Sequence, residues 1–132
     1  MVKSTREPGA EMDHLAHEAI GAAIEVHRVL GPGLPETAYE SALDVEWTLR
    51  GVPFARQATI NLSYKGHPAG KGRIDLQVGG SLIVELKAVE AINDVHTAQV
   101  ISYLKMTGHS RGLLVNFNVP VPRDGIQRIV VS

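Results

Sequence analysis

Gly72-Arg73-Ile74-Asp75-Leu76-Gln77-Val78-Gly79-Gly80-Ser81-Leu82-Ile83-Val84-Glu85-Leu86-Lys87 is the stretch on which the fold turns. Two short apolar runs flank a glycine pair, the pattern of a β-hairpin. Each run carries an acid among aliphatic residues, Asp75 in the first and Glu85 in the second, and Lys87 follows Glu85 on the same strand. Charge in the middle of a sheet is costly to bury. Three charged groups so close together need a reason.

Glu85 and Lys87 share a face, because strand side chains alternate. Whether Asp75 joins them is a question of register. A two-residue turn at Gly79-Gly80 would pair 78 with 81 and put Asp75 on the face opposite Glu85. The apolar pattern argues otherwise. Ile74, Leu76 and Val78 should share a face with Leu82, Val84 and Leu86, which requires an odd connection such as a three-residue loop with a bulge at glycine. Asp75, Glu85 and Lys87 then lie together. Two adjacent carboxylates repel unless a proton or cation sits between them. Only oxygen donors are on offer, so Mg2+ or Mn2+ fits better than zinc. A lysine beside such a metal suits phosphodiester hydrolysis. A structural ion-pair cluster at a sheet end explains the same spacing without a metal.

Upstream, residues 12 to 30 read as a helix from the spacing of Ala19, Ala23, Val26 and Leu30, with Asp13 at its N-cap and Gly31-Pro32-Gly33 as its stop. His14, His17 and His27 on or near it read as surface or half-buried side chains. Residues 35 to 50 read as a second helix, with Pro35 at its first position and Glu36 and Glu40 in its first turns, where the dipole favours acids. Gly51 closes it. Residues 57 to 64 alternate as a half-buried strand, and 65 to 70 read as a loop. Downstream, 94 to 107 read as a third helix capped by Asp94, 112 to 117 as a buried strand, and 126 to 131 as a last short strand. A strand, a helix and a second apolar strand predict a parallel crossover from 82–87 to 112–117. The expected architecture is a single α/β domain over 12–132, with a mixed sheet of four or five strands flanked by helices and a flexible tail at 1–11.

Composition narrows the function classes. Apolar residues make up 44% and charged residues 20%, which fits a globular chain rather than a disordered one. The formal net charge is -1, so nucleic-acid binding would have to rest on local clusters. There is no cysteine, which excludes a disulfide framework, a thiolate metal site and a thiol nucleophile, and fits a reducing cytoplasm. No apolar run approaches the roughly 20 residues of a membrane helix. Lys3, Arg6, Glu7 and Glu11 leave no apolar core for a signal peptide.

Asp75 followed by Glu85-Leu86-Lys87 resembles the PD-(D/E)XK nuclease signature, with Ile74 where the proline would stand. Gln99-Val100-Ile101-Ser102-Tyr103 resembles the Q-x-x-x-Y element of its RecB-like branch. Gly33-Leu34-Pro35-Glu36-Thr37-Ala38-Tyr39 is similar to the string that names the GxxExxY family. The resemblance covers roughly residues 13 to 131. It implies a restriction-endonuclease-like core with Mg2+ or Mn2+ held by Asp75, Glu85, Glu36 and the Leu86 carbonyl. Lys87 would position the attacking water and Gln99 would brace the site. Tyr103 would contact substrate or pack beneath it. Lys71 and Arg73, with Lys65, Lys105 and Arg111, would rim the site for the phosphates of a nucleic acid, DNA ahead of RNA. Each residue has a plainer role beside this one: Glu36 as a helix-start acid, Gln99 as a surface or capping group, Tyr39 and Tyr103 as packing, the cations as scattered solvated charges. A nuclease fold without turnover, acting as an accessory to a protein partner or as a homodimer, is the alternative function.

Overall fold

The computed structural model describes the backbone of residues 8–131 and the side chains from Met12 onward. Residues 1–7, most of the expected tail, lie outside the described residues. The order is α1 (Pro8–Leu30), α2 (Glu36–Arg50), β1 (Phe54–Tyr64), β2 (His67–Val78), β3 (Leu82–Lys87), α3 (Asp94–Thr107), β4 (Arg111–Asn116), a 3-10 turn (Pro122–Gly125) and β5 (Ile126–Val130). The strands form one five-stranded sheet in sequence order. β3 and β4 are parallel and every other neighbouring pair is antiparallel, so the expected mixed sheet and its helical crossover are both present.

Alternation along β3 and β4 builds two apolar layers. Leu82, Val84, Leu86, Leu113 and Val115 face α1 and α2, where they meet Ala19, Ala23, Leu43 and Trp47. Ile83 and Leu114 face α3 and meet Val100 and Leu104. The alanines of α1 let that helix approach the sheet closely, since a small side chain keeps the backbones near each other. β3 is therefore covered on both faces, and a charged residue within it must face a helix rather than water.

Several boundaries differ from the sequence reading. α1 begins at Pro8, so Asp13 lies inside it and pairs with Arg111. His27 is buried, with its Nε2 2.6 Å from the Val119 carbonyl, because the Ala16–Ala19–Ala23–Val26 face that packs on the sheet carries it inward. Pro35 is the cap of α2 rather than its first residue, since its ψ of 154° is extended. Asn93, not Asp94, caps α3: its Oδ1 accepts from Val95 and His96, and His96 Nδ1 accepts from the Asn93 N–H in return. The expected loop at 65 to 70 is mostly strand. Lys65 and Gly66, both with positive φ, make the whole turn, and Tyr64 pairs directly with His67.

Candidate functional site

β2 and β3 meet through a three-residue loop, with Val78 paired to Leu82 across Gly79-Gly80-Ser81. Gly79 and Gly80 both take positive φ, 62° and 77°, which a side chain would resist. The odd connection predicted from the apolar pattern is present, and Asp75 faces Glu85 across the seam. The face assignment holds for Leu76, Val78, Leu82, Val84 and Leu86, which share the α1/α2 layer. It fails for Ile74, which packs in the α3 layer. The pleat inverts between Leu76 and Ile74.

At that inversion the ladder between β2 and β3 stops at Leu76 and Val84. Side chains take over from backbone pairing. The Asp75 N–H donates to Glu85 Oε1 at 3.1 Å, and the Leu86 N–H donates to Asp75 Oδ2 at 2.9 Å. Glu85 is 2% exposed. Its burial, then the Asp75 charge beside it, push its carboxyl up to about 8, and a hydrogen bond with Asp75 adds to the rise. Its alternation with Ile83 puts it in the α3 layer, and Lys87 follows on the same face.

α3 supplies the rest. Lys87 Nζ donates to Gln99 Oε1 at 3.3 Å, and Gln99 Nε2 lies 3.4 Å from the Tyr103 hydroxyl. Gln99 and Tyr103 stand one helical turn apart, so one face of α3 presents both. Tyr103 rests on β2 at Gly72, where a Cβ would stand only 3.0 Å from its ring. Glu36 opens α2 at the carboxyl end of β3. Desolvation raises its pKa, opposed by the Lys87 charge and the Ala88 backbone and reinforced by Asp75 and Glu40, so it lies in the same electrostatic field.

The fold thus brings together Asp75, Glu85, the Leu86 N–H, Lys87, Gln99 and Tyr103, with Glu36 nearby. Lys71 and Arg73 are exposed on the outer part of the β1–β2 hairpin, paired across strands with Asn61 and Thr59, on the face opposite Gly72 and Tyr103. Arg111 is tied to Asp13 and so is lost to the expected basic rim. Among the described residues no group of three His, Asp or Glu side chains stands close enough to hold a metal ion. The expected set of Asp75, Glu85 and Glu36 is not assembled as a closed cluster, because Glu36 comes from the helix layer on the other face of the sheet. The donor chemistry still suits a hard divalent cation: oxygen ligands only, and two carboxylates in one seam, with burial and the neighbouring Asp75 charge raising the Glu85 carboxyl against the opposing Lys87 charge.

One residue of the site's support escaped the sequence reading. Asn116, 3% exposed at the end of β4, donates to the Val89 carbonyl at 2.9 Å and accepts from the Val89 and Asn118 N–H groups, both at 3.1 Å. The Phe117 N–H donates to the Lys87 carbonyl. Together they clamp the chain just beyond Lys87. A polar amide closing the apolar run 112–115 was the available signal.

A central strand presenting a glutamate and a lysine, an aspartate facing them from its hairpin partner, and helices on both faces define a restriction-endonuclease-like fold. The chain belongs to the PD-(D/E)XK nuclease superfamily, whose family model matches residues 13–129. Nucleases of that superfamily generally use divalent metal ions. No curated protein matches the chain in sequence. No helix among the described residues is long and apolar enough to cross a membrane.

Proposed function

We propose that this domain hydrolyses phosphodiester bonds of nucleic acid, DNA first, with Mg2+ or Mn2+ bound at Asp75 and Glu85. The reciprocal bonding of those two carboxylates across the β2–β3 seam is the observation that carries the reading. Glu36, which stands outside that pair, and the Leu86 carbonyl would complete the ligand set on binding. The metal, when bound, supplies charge for an oxyanion and acidifies water. Lys87, held by Gln99, orients the attacking water and stabilises developing negative charge. Tyr103 contacts substrate at the wall of the site.

The phosphate-binding surface extends around the outer β1–β2 hairpin onto the face away from Tyr103. Residues 47–74 contain no Asp or Glu, in a chain whose formal net charge is -1. Arg50 and Arg56 in that stretch are paired with acids of α1 and α2. Lys71 and Arg73 have no ion-pair partner among the described residues, and neither does Lys65, which lies 5.3 Å from the Tyr64 ring centroid. Exposed cations and an aromatic with 66% of its surface free suit a nucleic-acid backbone.

Membership of the GxxExxY branch is part of the proposal, and each residue of its string has a physical task. Gly33 has a φ of 100°, Glu36 shares the field of Lys87 and Asp75, and Tyr39 fixes the approach to α2. The Tyr39 hydroxyl donates to the Gly31 carbonyl and accepts from the Leu34 N–H, and its ring stacks on Phe117. The absence of cysteine supports a cytoplasmic setting.

A silent accessory role, with a protein partner or a second copy of this chain, is the second reading. It is favoured by the exposed apolar side chains Val29, Val45 and Leu49 on α1 and α2. Incubation with single- and double-stranded DNA and RNA in Mn2+ separates the two. Cleavage lost in Asp75→Asn and Lys87→Ala supports the nuclease; metal binding with no cleavage of any of them supports the accessory.

A further inference from the structure

We propose that Gln57 is the positioning residue for Asp75: its left-handed backbone inverts the pleat of the β1–β2 pair and turns the Asp75 carboxylate into the seam with β3. Gln57 has a φ of 52°, in the region that favours glycine, yet it lies inside a strand. The register places it opposite Asp75, since Arg56 pairs with Leu76 and Ala58 pairs with Ile74.

The two sides of this position lie on different faces. Phe54, Leu76 and Val78 belong to the α1/α2 layer. Ala58, Ile60 and Ile74 belong to the α3 layer. Ile74 and Leu76 are two apart and would share a face in a regular strand. No residue is inserted in either strand here; the one register shift between them comes later, between Asn61 and Ser63. A change of face without an insertion requires a backbone reversal, and the positive φ at Gln57 provides it. In a regular pleat Asp75 would point squarely out of the sheet. Here its carboxylate takes the Leu86 N–H, a donor of the neighbouring strand.

The reversal is tethered to α2. Gln57 Nε2 donates to Glu40 Oε1 at 2.5 Å, and Arg56 binds the other Glu40 oxygen at 2.7 Å. Glu40 stands one turn beyond Glu36. A residue in a sparsely populated backbone region beside a candidate site, held by a hydrogen bond to the next layer and flanked by the ion pairs of Arg56, is strain retained for geometry.

Substitutions separate the backbone from the side chain. Gly adopts positive φ freely and Asn tolerates it, whereas β-branched Val and, less severely, Ala resist it. The direct readout is hydrogen exchange at the Leu86 amide, with Val84 on the same strand as reference. Gln57→Gly and Gln57→Asn are expected to keep Leu86 as protected as in the wild type. Gln57→Val is expected to speed its exchange at least tenfold relative to Val84, and Gln57→Ala takes its place, with a smaller acceleration, if the Val variant does not fold. Unchanged Leu86 protection in both Val and Ala variants would overturn the proposal, as would loss of protection in the Gly variant, which would assign the effect to the Glu40 bond. The consequence for metal rests on the proposed function: Mn2+ affinity should follow the same order across the variants. A wild type that binds no Mn2+ would count against the function, and the exchange series would still decide the role of Gln57.

Discussion

Asp75 and Glu85 hold one another through the backbone: each carboxylate accepts an N–H from the other's strand, Asp75 N–H to Glu85 and Leu86 N–H to Asp75. Ladder hydrogen bonds have given way to side-chain ones at this single step of the sheet. The backbone donors remain satisfied, as buried donors must be, while two acids are forced side by side. Their mutual repulsion is what a cation would relieve.

The raised Glu85 carboxyl makes stability depend on pH. Its folded value of about 8 exceeds its ordinary 4.5, so the folded state holds a proton that the unfolded state releases. The associated stability is complete below about 4.5 and lost as pH rises through about 8. Thermal melts without added metal should therefore show a falling midpoint across that window. Glu85→Gln, which still accepts the Asp75 N–H, should flatten the decline and melt a few degrees above the wild type at pH 8.5.

Asn116 should behave as a structural clamp. Replacing it with Leu leaves the half-buried Val89 N–H unpaired and its carbonyl with only the long Asn118 amide contact, a loss of about 1–2 kcal/mol. Urea unfolding measures it. A loss below about 0.5 kcal/mol would mean that Val89 finds water or another partner.

Tyr39→Phe removes one hydroxyl that serves both Gly31 and Leu34 and keeps the stack on Phe117. The expected cost is about 1–2 kcal/mol in the same unfolding assay. Because the hydroxyl ties down the Gly31–Pro35 link that leads into Glu36, Mn2+ affinity should weaken less than in Glu36→Ala.

Lys71→Ala with Arg73→Ala should weaken binding of a duplex while leaving the melting temperature unchanged. Each phosphate contact contributes roughly 0.9 to the slope of log affinity against log salt, so the double variant should reduce the slope by about 2. A salt titration with fluorescent DNA reads it. An unchanged slope would remove the hairpin from the binding surface.

Much of the fold was legible because local rules agreed with the tertiary outcome. The apolar runs around Gly79-Gly80 decided between a two-residue turn and the three-residue loop, and the Gly31-Pro32-Gly33 stop specified the end of α1. The facing of Asp75 and Glu85 followed from burial on β3, where a slip of one residue would have exposed a whole face. The position of Ile74 was not legible, since it depends on the left-handed backbone of Gln57, a residue type that gives no hint of positive φ. The strand at 67–70 was hidden by Pro68 and Gly70, which read as a loop. They are tolerated because β2 there runs beyond the end of β3 and one of its edges is unpaired. Within the site, the Glu85–Lys87 spacing and the Gln99–Tyr103 helical pair were visible as patterns. The Asn116 clamp was not, because its partner Val89 is distant in sequence.

Calorimetric titration of Mn2+ into the protein at pH 8 is the most direct test of the central claim. Saturable binding that Asp75→Asn and Glu85→Gln each abolish, and that weakens as pH is lowered and Glu85 keeps its proton, is the expected result. No saturable binding to the wild type, or equal binding to the Asp75→Asn protein, would contradict it and leave the seam as a structural pairing of two acids.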